Sequence, residues 1–153
     1  MPLIRVWRGP QWDWFEHVEH AGFFAADWEV SNRSDRVGYR LEGARMNPPA
    51  AEMQSEPVVV GSIQVPPNGQ PIVTMRDGPT VGGYPKIAIV DPDSLTWLAQ
   101  CRPGVKFRMA LMEGRGLRES RDVCFLVPWR LACFSTRTLA RANPWRARAL
   151  SCG

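Results

Sequence analysis

No apolar segment of this chain runs far before glycine or proline interrupts it, and that punctuation limits every element it can form. Leu3 to Trp7 stops at Gly9-Pro10, Val58 to Val65 stops at Pro66-Pro67-Asn68-Gly69, and Lys86 to Val90 stops at Asp91-Pro92. With 14 prolines and 13 glycines among 153 residues, such breaks recur throughout. Pieces this short suit strands of about five or six residues better than helices of about 11–12. Nowhere does an apolar run approach the ~18 residues that cross a bilayer, so no membrane role is expected. At 44% apolar and 22% charged residues the composition also argues against a disordered chain. The first residues lack the cationic start and apolar stretch of a secretory signal, so a cytoplasmic product is expected.

The pattern along the chain predicts mostly strands. Leu3–Trp7 alternates as a strand does, and Pro10 is placed to open a helix. Trp14, Phe15, Val18 and Phe23 recur at helical spacing, which predicts one short amphipathic helix between Gln11 and Phe24. Trp28–Val30 and Val37–Leu41 flank a polar run with turn chemistry, and residues 46–57 read as a loop. Val58–Val65 and Gln70–Met75 form a second expected hairpin, followed by a strand over Lys86–Val90. Asp91 and Pro92 are an N-cap and a first helical residue, for a helix ending near Gln100. The alternation of Val105, Phe107 and Met109 with Lys106 and Arg108 predicts a last strand. Many strands with one or two short helices imply a mainly β barrel or sandwich.

Charge is unevenly spread. Residues 1–113 carry 11 Lys and Arg against 13 Asp and Glu, whereas residues 114–153 carry 8 Arg against 2 acids. A basic end of this kind can neutralise phosphates, but no nucleic-acid-binding motif accompanies it, so nucleic acid is not an expected partner. Cys101, Cys124, Cys133 and Cys152 include no C-x-x-C pair, which points to reduced thiols and no metal centre. His17 and His20 have a spacing that could place both on one metal, yet no third ligand is near, and a solvated helix face is the simpler reading. The glycine-rich run Gly78 to Lys86 is not a Walker loop, because Tyr84-Pro85 separates the glycines from the lysine. Read alone, Lys86 is a solvated strand start, and Gln64 and Gln70 either orient a ligand or satisfy loop backbone. Nucleophile-elbow and dinucleotide-binding patterns are both missing.

Longer segments, taken in order, carry more. Arg5 to Phe15 and Trp28 to Gly43, then Gly61-Ser62-Ile63-Gln64-Val65-Pro66-Pro67-Asn68-Gly69-Gln70-Pro71-Ile72, Gly82-Gly83-Tyr84-Pro85-Lys86-Ile87 and Leu98 to Gly104, resemble the biotin-dependent carboxyltransferase family. That family includes allophanate hydrolase subunit 2, a 5-oxoprolinase subunit and the urea carboxylase carboxyltransferase domain, and the likeness is to its carboxy-terminal half.

The resemblance implies a cyclophilin-like β-barrel over residues 1–112, followed by a divergent Arg-rich tail over 113–153 that is expected to be poorly packed. It implies a truncated subunit, inactive alone, of a complex acting on urea, 5-oxoproline or a similar amide or lactam. A companion subunit of the allophanate hydrolase subunit 1 type would be its partner, biotin would act as carboxybiotin on a partner, and ATP would enter only through a partner. The alternative is a non-catalytic regulatory or interaction module, since some relatives resemble regulators of a histidine kinase. Within this family pattern Lys86 is the expected catalytic cation for a carboxylate, with Tyr84 beside it and Gln64 and Gln70 as orienting amides. Arg36, Tyr39 and Arg40 are further substrate-binding candidates, although Tyr39 could be a core residue and Arg36 could pair with Asp35 at the surface.

Overall fold

The computed structural model describes residues 1–50 and 53–112, so the expectations for residues 113–153 lie outside the described residues. Nine strands and two helices follow in chain order. They are β1 (Leu3–Arg8), α1 (His17–Ala25), β2 (Trp28–Val30), β3 (Gly38–Glu42), β4 (Glu56–Pro57), β5 (Ser62–Gln64), β6 (Ile72–Thr74), β7 (Val81–Gly82), β8 (Lys86–Val90), α2 (Pro92–Leu98) and β9 (Lys106–Leu111). Seven strands close into a barrel in the order β1-β8-β5-β6-β3-β2-β9, while β4 and β7 pair only with each other. The described residues are therefore mainly β with two short helices, as the punctuation predicts. Closure comes from β9 running parallel to β1, with Ile4 opposite Met109.

Alternation fills the barrel. Ile4 and Val6 of β1 and Phe107 and Met109 of β9 turn inward, and their neighbours Arg5, Lys106 and Arg108 turn to solvent. Trp28 and Phe23 are fully buried at one end, where the indole Nε1 donates to the Phe23 carbonyl at 2.9 Å. That bond satisfies the indole's one polar atom, and burying its ~150–250 Å² stabilises the fold by roughly 4–6 kcal/mol. At α2 the Asp91 side chain accepts from Ser94 N at 3.4 Å and Pro92 occupies the first turn, as expected of that cap.

Two expected elements differ. The single helix over residues 11–24 is split into a 3-10 turn (Trp12–Trp14) and α1, with Phe15 and Glu16 extended between them. The cause lies upstream, where the amides of Gly9 and Gln11 donate to the carbonyls of Ile87 and Lys86 and tie this stretch to β8. His20 then folds back and stacks on Trp12 at 3.7 Å between ring centroids, so it is not on a solvated face. The other difference is Val58–Val65, of which only Ser62–Gln64 is strand. Gly61 has φ +90, a conformation that β-branched neighbours resist, and it ends the strand while Val59 and Val60 stay exposed.

Candidate functional site

The site grows from a fault in one strand pair. β5 and β8 run antiparallel with Ile63 opposite Ala88, and a bulge then places Gln64 opposite Lys86. Regular pairing would have set Lys86 against Val65. Lys86 stands two and four residues before Ala88 and Val90, both buried, and is buried with them. Lys86 is 2% exposed, which corrects the solvated strand-start reading, and lies among the largest fully buried side chains.

A buried ammonium requires a counter-charge. Glu56 of β4 supplies it, with Oε1 in an ion pair with Lys86 Nζ. Among the described residues Glu56 is the acidic partner of the Lys86 Nζ. Lys86 beside it holds the Glu56 carboxyl below the usual range, and Gln11 adds to the effect against the opposing cost of burial. Gln11 completes the cluster. Its Oε1 accepts the Lys86 backbone N–H at 3.1 Å and its Nε2 donates to Glu56 Oε1 at 2.7 Å.

On the other side of Lys86, Gln64 is buried and its Nε2 donates to Thr74 Oγ1 of β6 at 2.9 Å. Gln64 Oε1 faces Gly82 of β7, where an added Cβ would come within 2.9 Å. The two-stranded β4–β7 ribbon therefore lies over Gln64 at one strand and reaches Lys86 through the other. Its register sets Glu56 opposite Gly82 and Pro57 opposite Val81. The arrangement offers one cation, two fixed amides and one carboxylate beneath the β4–β7 ribbon, a set able to bind an anionic oxygen and orient an amide.

The remaining expected residues lie elsewhere in the bonding pattern. Tyr84, two residues before Lys86, is 45% exposed. Gln70 follows the β5–β6 turn, its N–H donating to Asn68 Oδ1 at 3.1 Å and its Oε1 buried without a partner. Tyr39 is packed on the core and its hydroxyl donates to the Ala99 carbonyl at 3.0 Å. Arg40 is exposed on β3, its backbone N–H donating to Ser34 Oγ. Arg36, 91% exposed, pairs with Asp77 at 3.3 Å and not with Asp35. Asp35 instead accepts from the amides of Val37 and Gly38 within its own turn. Of the seven expected residues, the cross-strand register joins Lys86 and Gln64, whereas Gln11 and Glu56 are additions.

No group of three or more potential metal ligands occurs among the described residues, and none of their helices is long and apolar enough to cross a membrane.

Residues 1–111 match the family model described as carboxyltransferase domain, subdomain A and B. The chain is 38% identical over 125 residues to a 5-oxoprolinase subunit of Haemophilus influenzae, covering 79% of this chain and 40% of that protein. Against the corresponding 5-oxoprolinase subunit of Escherichia coli the identity is 35%, covering 84% of this chain and 43% of that protein. Both alignments are longer than 112 residues and so take in part of the Arg-rich end. Similarity to the Saccharomyces cerevisiae urea amidolyase is 29% over 72% of this chain and 7% of that protein. Among solved structures, TTHA0988 superposes with TM-score 0.62 at 38% identity, covering 71% of this chain and 21% of that one. The Kluyveromyces lactis urea carboxylase shares the fold with TM-score 0.66 at 23% identity, covering 72% of this chain and 11% of that one. The chain thus spans less than half the length of the curated relatives it matches. On the family match over residues 1–111 and the barrel that carries it, this chain belongs to the carboxyltransferase domain, subdomain A and B family.

Proposed function

We propose that this chain is a cytoplasmic subunit of a biotin-dependent carboxyltransferase or amidohydrolase complex acting on urea, 5-oxoproline or a similar amide or lactam, and that alone it is inactive. The observation that supports this reading is the buried Lys86 ammonium, held by a bulge opposite Gln64 within a carboxyltransferase-family barrel. Carboxyl transfer to an amide nitrogen moves negative charge onto carboxylate and carbonyl oxygens, and a cation in a water-poor site stabilises that charge. Lys86 provides the cation, a buried ammonium paired with Glu56. Gln64 and Gln11, each locked by hydrogen bonds, orient the amide of the substrate. Tyr84, exposed two residues before Lys86, is proposed to contact the substrate beside it.

The donor set suits the carboxylate and carbonyl oxygens of a carboxylated ureido group. Biotin, borne by a partner, supplies the activated carboxyl group when bound, and ATP is used only on a companion subunit of the allophanate hydrolase subunit 1 type. The experiment is reconstitution with the companion subunits and assay of ATP-dependent turnover of urea and of 5-oxoproline. Lys86→Ala is expected to lower turnover at least tenfold, in line with the ~3 kcal/mol that a preorganised charge contributes. Unchanged kinetics in a folded variant would refute the assignment of Lys86. A chain that binds its companion but supports no turnover with any amide would favour the regulatory alternative.

A further inference from the structure

Glu56 is oddly placed for a residue whose task is only to neutralise Lys86. It does not come from the barrel but from a ribbon of two two-residue strands that lies outside the barrel's ladder. The ribbon holds itself together by pairing β4 with β7 and by Val58 N–H donating to the Thr80 carbonyl at 2.8 Å. The Glu56 side chain is also 37% exposed, while that of Lys86 shows 2%.

The donors around that carboxylate belong to the barrel and its entry turn. Gln11 cannot flip its amide without losing two bonds, because Oε1 is bound to the Lys86 N–H. Nε2 therefore always points at the carboxylate position. Lys86 Nζ meets the same carboxylate oxygen in an ion pair. Two donors, one on β8 and one fixed at the entry turn, thus meet a carboxylate carried on a slight, separate element.

We propose that Glu56 holds the place of a ligand: it fills an anion position formed by Lys86 Nζ and Gln11 Nε2, and a small carboxylate-bearing ligand binds there by displacing it along with the β4–β7 ribbon. The proposal rests on the reading of Lys86 as an anion-binding residue and adds an occupant and a gate. The exchange makes and breaks no covalent bond. One carboxylate leaves as another arrives, so the buried ammonium is never left uncompensated. Glu56 is on this view a specificity element, since a neutral ligand cannot replace it without stranding Lys86.

Formate, compared with chloride at constant ionic strength, tests this on the full chain by NMR. In the native protein, saturable formate binding is expected to shift the Gln11 side-chain amide signals and to speed hydrogen exchange at the Val58 amide at least tenfold. Glu56→Gln is expected to bind formate at least tenfold more tightly, and Lys86→Met not at all. Absence of a saturable shift in the native chain would overturn the proposal. So would equal or weaker binding by Glu56→Gln, or binding that persists in Lys86→Met. Should Glu56→Gln not fold, formate is expected to restore its folded spectrum where chloride does not, and failure to do so also counts against the idea. No turnover is measured, so an inactive reconstituted complex and a failed formate titration are separate results.

Discussion

Gln11 and Lys86 are bonded to each other in both directions: Gln11 N–H donates to the Lys86 carbonyl at 3.3 Å, and Lys86 N–H donates to Gln11 Oε1 at 3.1 Å. The residue before the 3-10 turn thereby takes the place of a neighbouring strand at the start of β8, and its remaining amide protons are delivered to Glu56. Gln11→Leu keeps the volume but leaves the Lys86 N–H and the Glu56 carboxylate each short of a partner. An unsatisfied buried group costs about 1–3 kcal/mol, and one of these two is fully buried, so a loss of about 2 kcal/mol is expected. Urea unfolding with an unchanged m-value would register it. A loss below about 0.5 kcal/mol would mean that water replaces the amide.

The ion pair sets a pH dependence whose sign follows from Glu56. Its pKa is lowered in the folded chain from an ordinary value of 4.5, chiefly by Lys86. A depressed carboxyl contributes stability that is fully present above the unfolded-state pKa and is lost as pH falls through the folded-state value. Acidification below about pH 4.5 is therefore expected to remove it. Asp35 titrates in the same direction, its pKa lowered by the backbone amides of Gly38 and Val37, so the comparison is best made in a background of Asp35→Asn. In that background Glu56→Gln is expected to be less stable at pH 7 and to lose less below pH 4.5. Parallel stability curves for the two proteins would sink the argument.

Local pattern made much of the barrel legible. β1, β2, β3, β6, β8 and β9 were readable because each is an alternating or β-branched run closed by turn residues, and α2 because Asp91-Pro92 states its own start. What could not be read is what depends on distance in the chain. Glu56 meets Lys86 30 residues on and Gln11 45 residues back, and β4 and β7 are two residues each, too short for any period. Their location follows from tertiary packing alone. Lys86 was singled out through family pattern, but its burial against a carboxylate of β4 is a tertiary contact that a sequence of apolar and polar letters does not reveal. Arg36 and Tyr39 show the converse. Their partners, Asp77 and the Ala99 carbonyl, are long-range and account for both residues without a ligand.

Two glycines should separate the ribbon from the barrel. At Gly9 an added Cβ would meet Ile87 C at 2.7 Å and Ala88 N at 2.8 Å, both backbone atoms of β8 that cannot move aside. Gly9→Ala is expected to destabilise the whole barrel by about 2 kcal/mol or more. At Gly82 the obstacles are side-chain atoms, Gln64 Oε1 at 2.9 Å and Val58 Cγ2 at 3.0 Å. Gly82→Ala is expected to displace the ribbon while changing the thermal midpoint by no more than about 2 °C. Faster exchange at the Val58 amide, with barrel amides still protected, would be the signature. A global loss of protection in Gly82→Ala would show the ribbon to be integral to the barrel.

The last prediction concerns where the folding unit ends. The residues of the buried cluster run from Ile4 to Met109, and the closing pair joins β1 to β9 within that span. Every strand of the barrel has both neighbours before residue 112. We therefore propose residues 1–112 as a unit that folds without the Arg-rich end, although the alignment with the E. coli relative continues past that point. A chain ended after Met112 is expected to unfold cooperatively, with a thermal midpoint within about 2 °C of the full chain. For a domain of this size a change of 1 kcal/mol moves the midpoint by roughly 4–8 °C, so a contribution from the missing residues would be visible. A drop of that order, or loss of cooperativity, would mean that residues beyond 112 complete the core and that the boundary belongs further on.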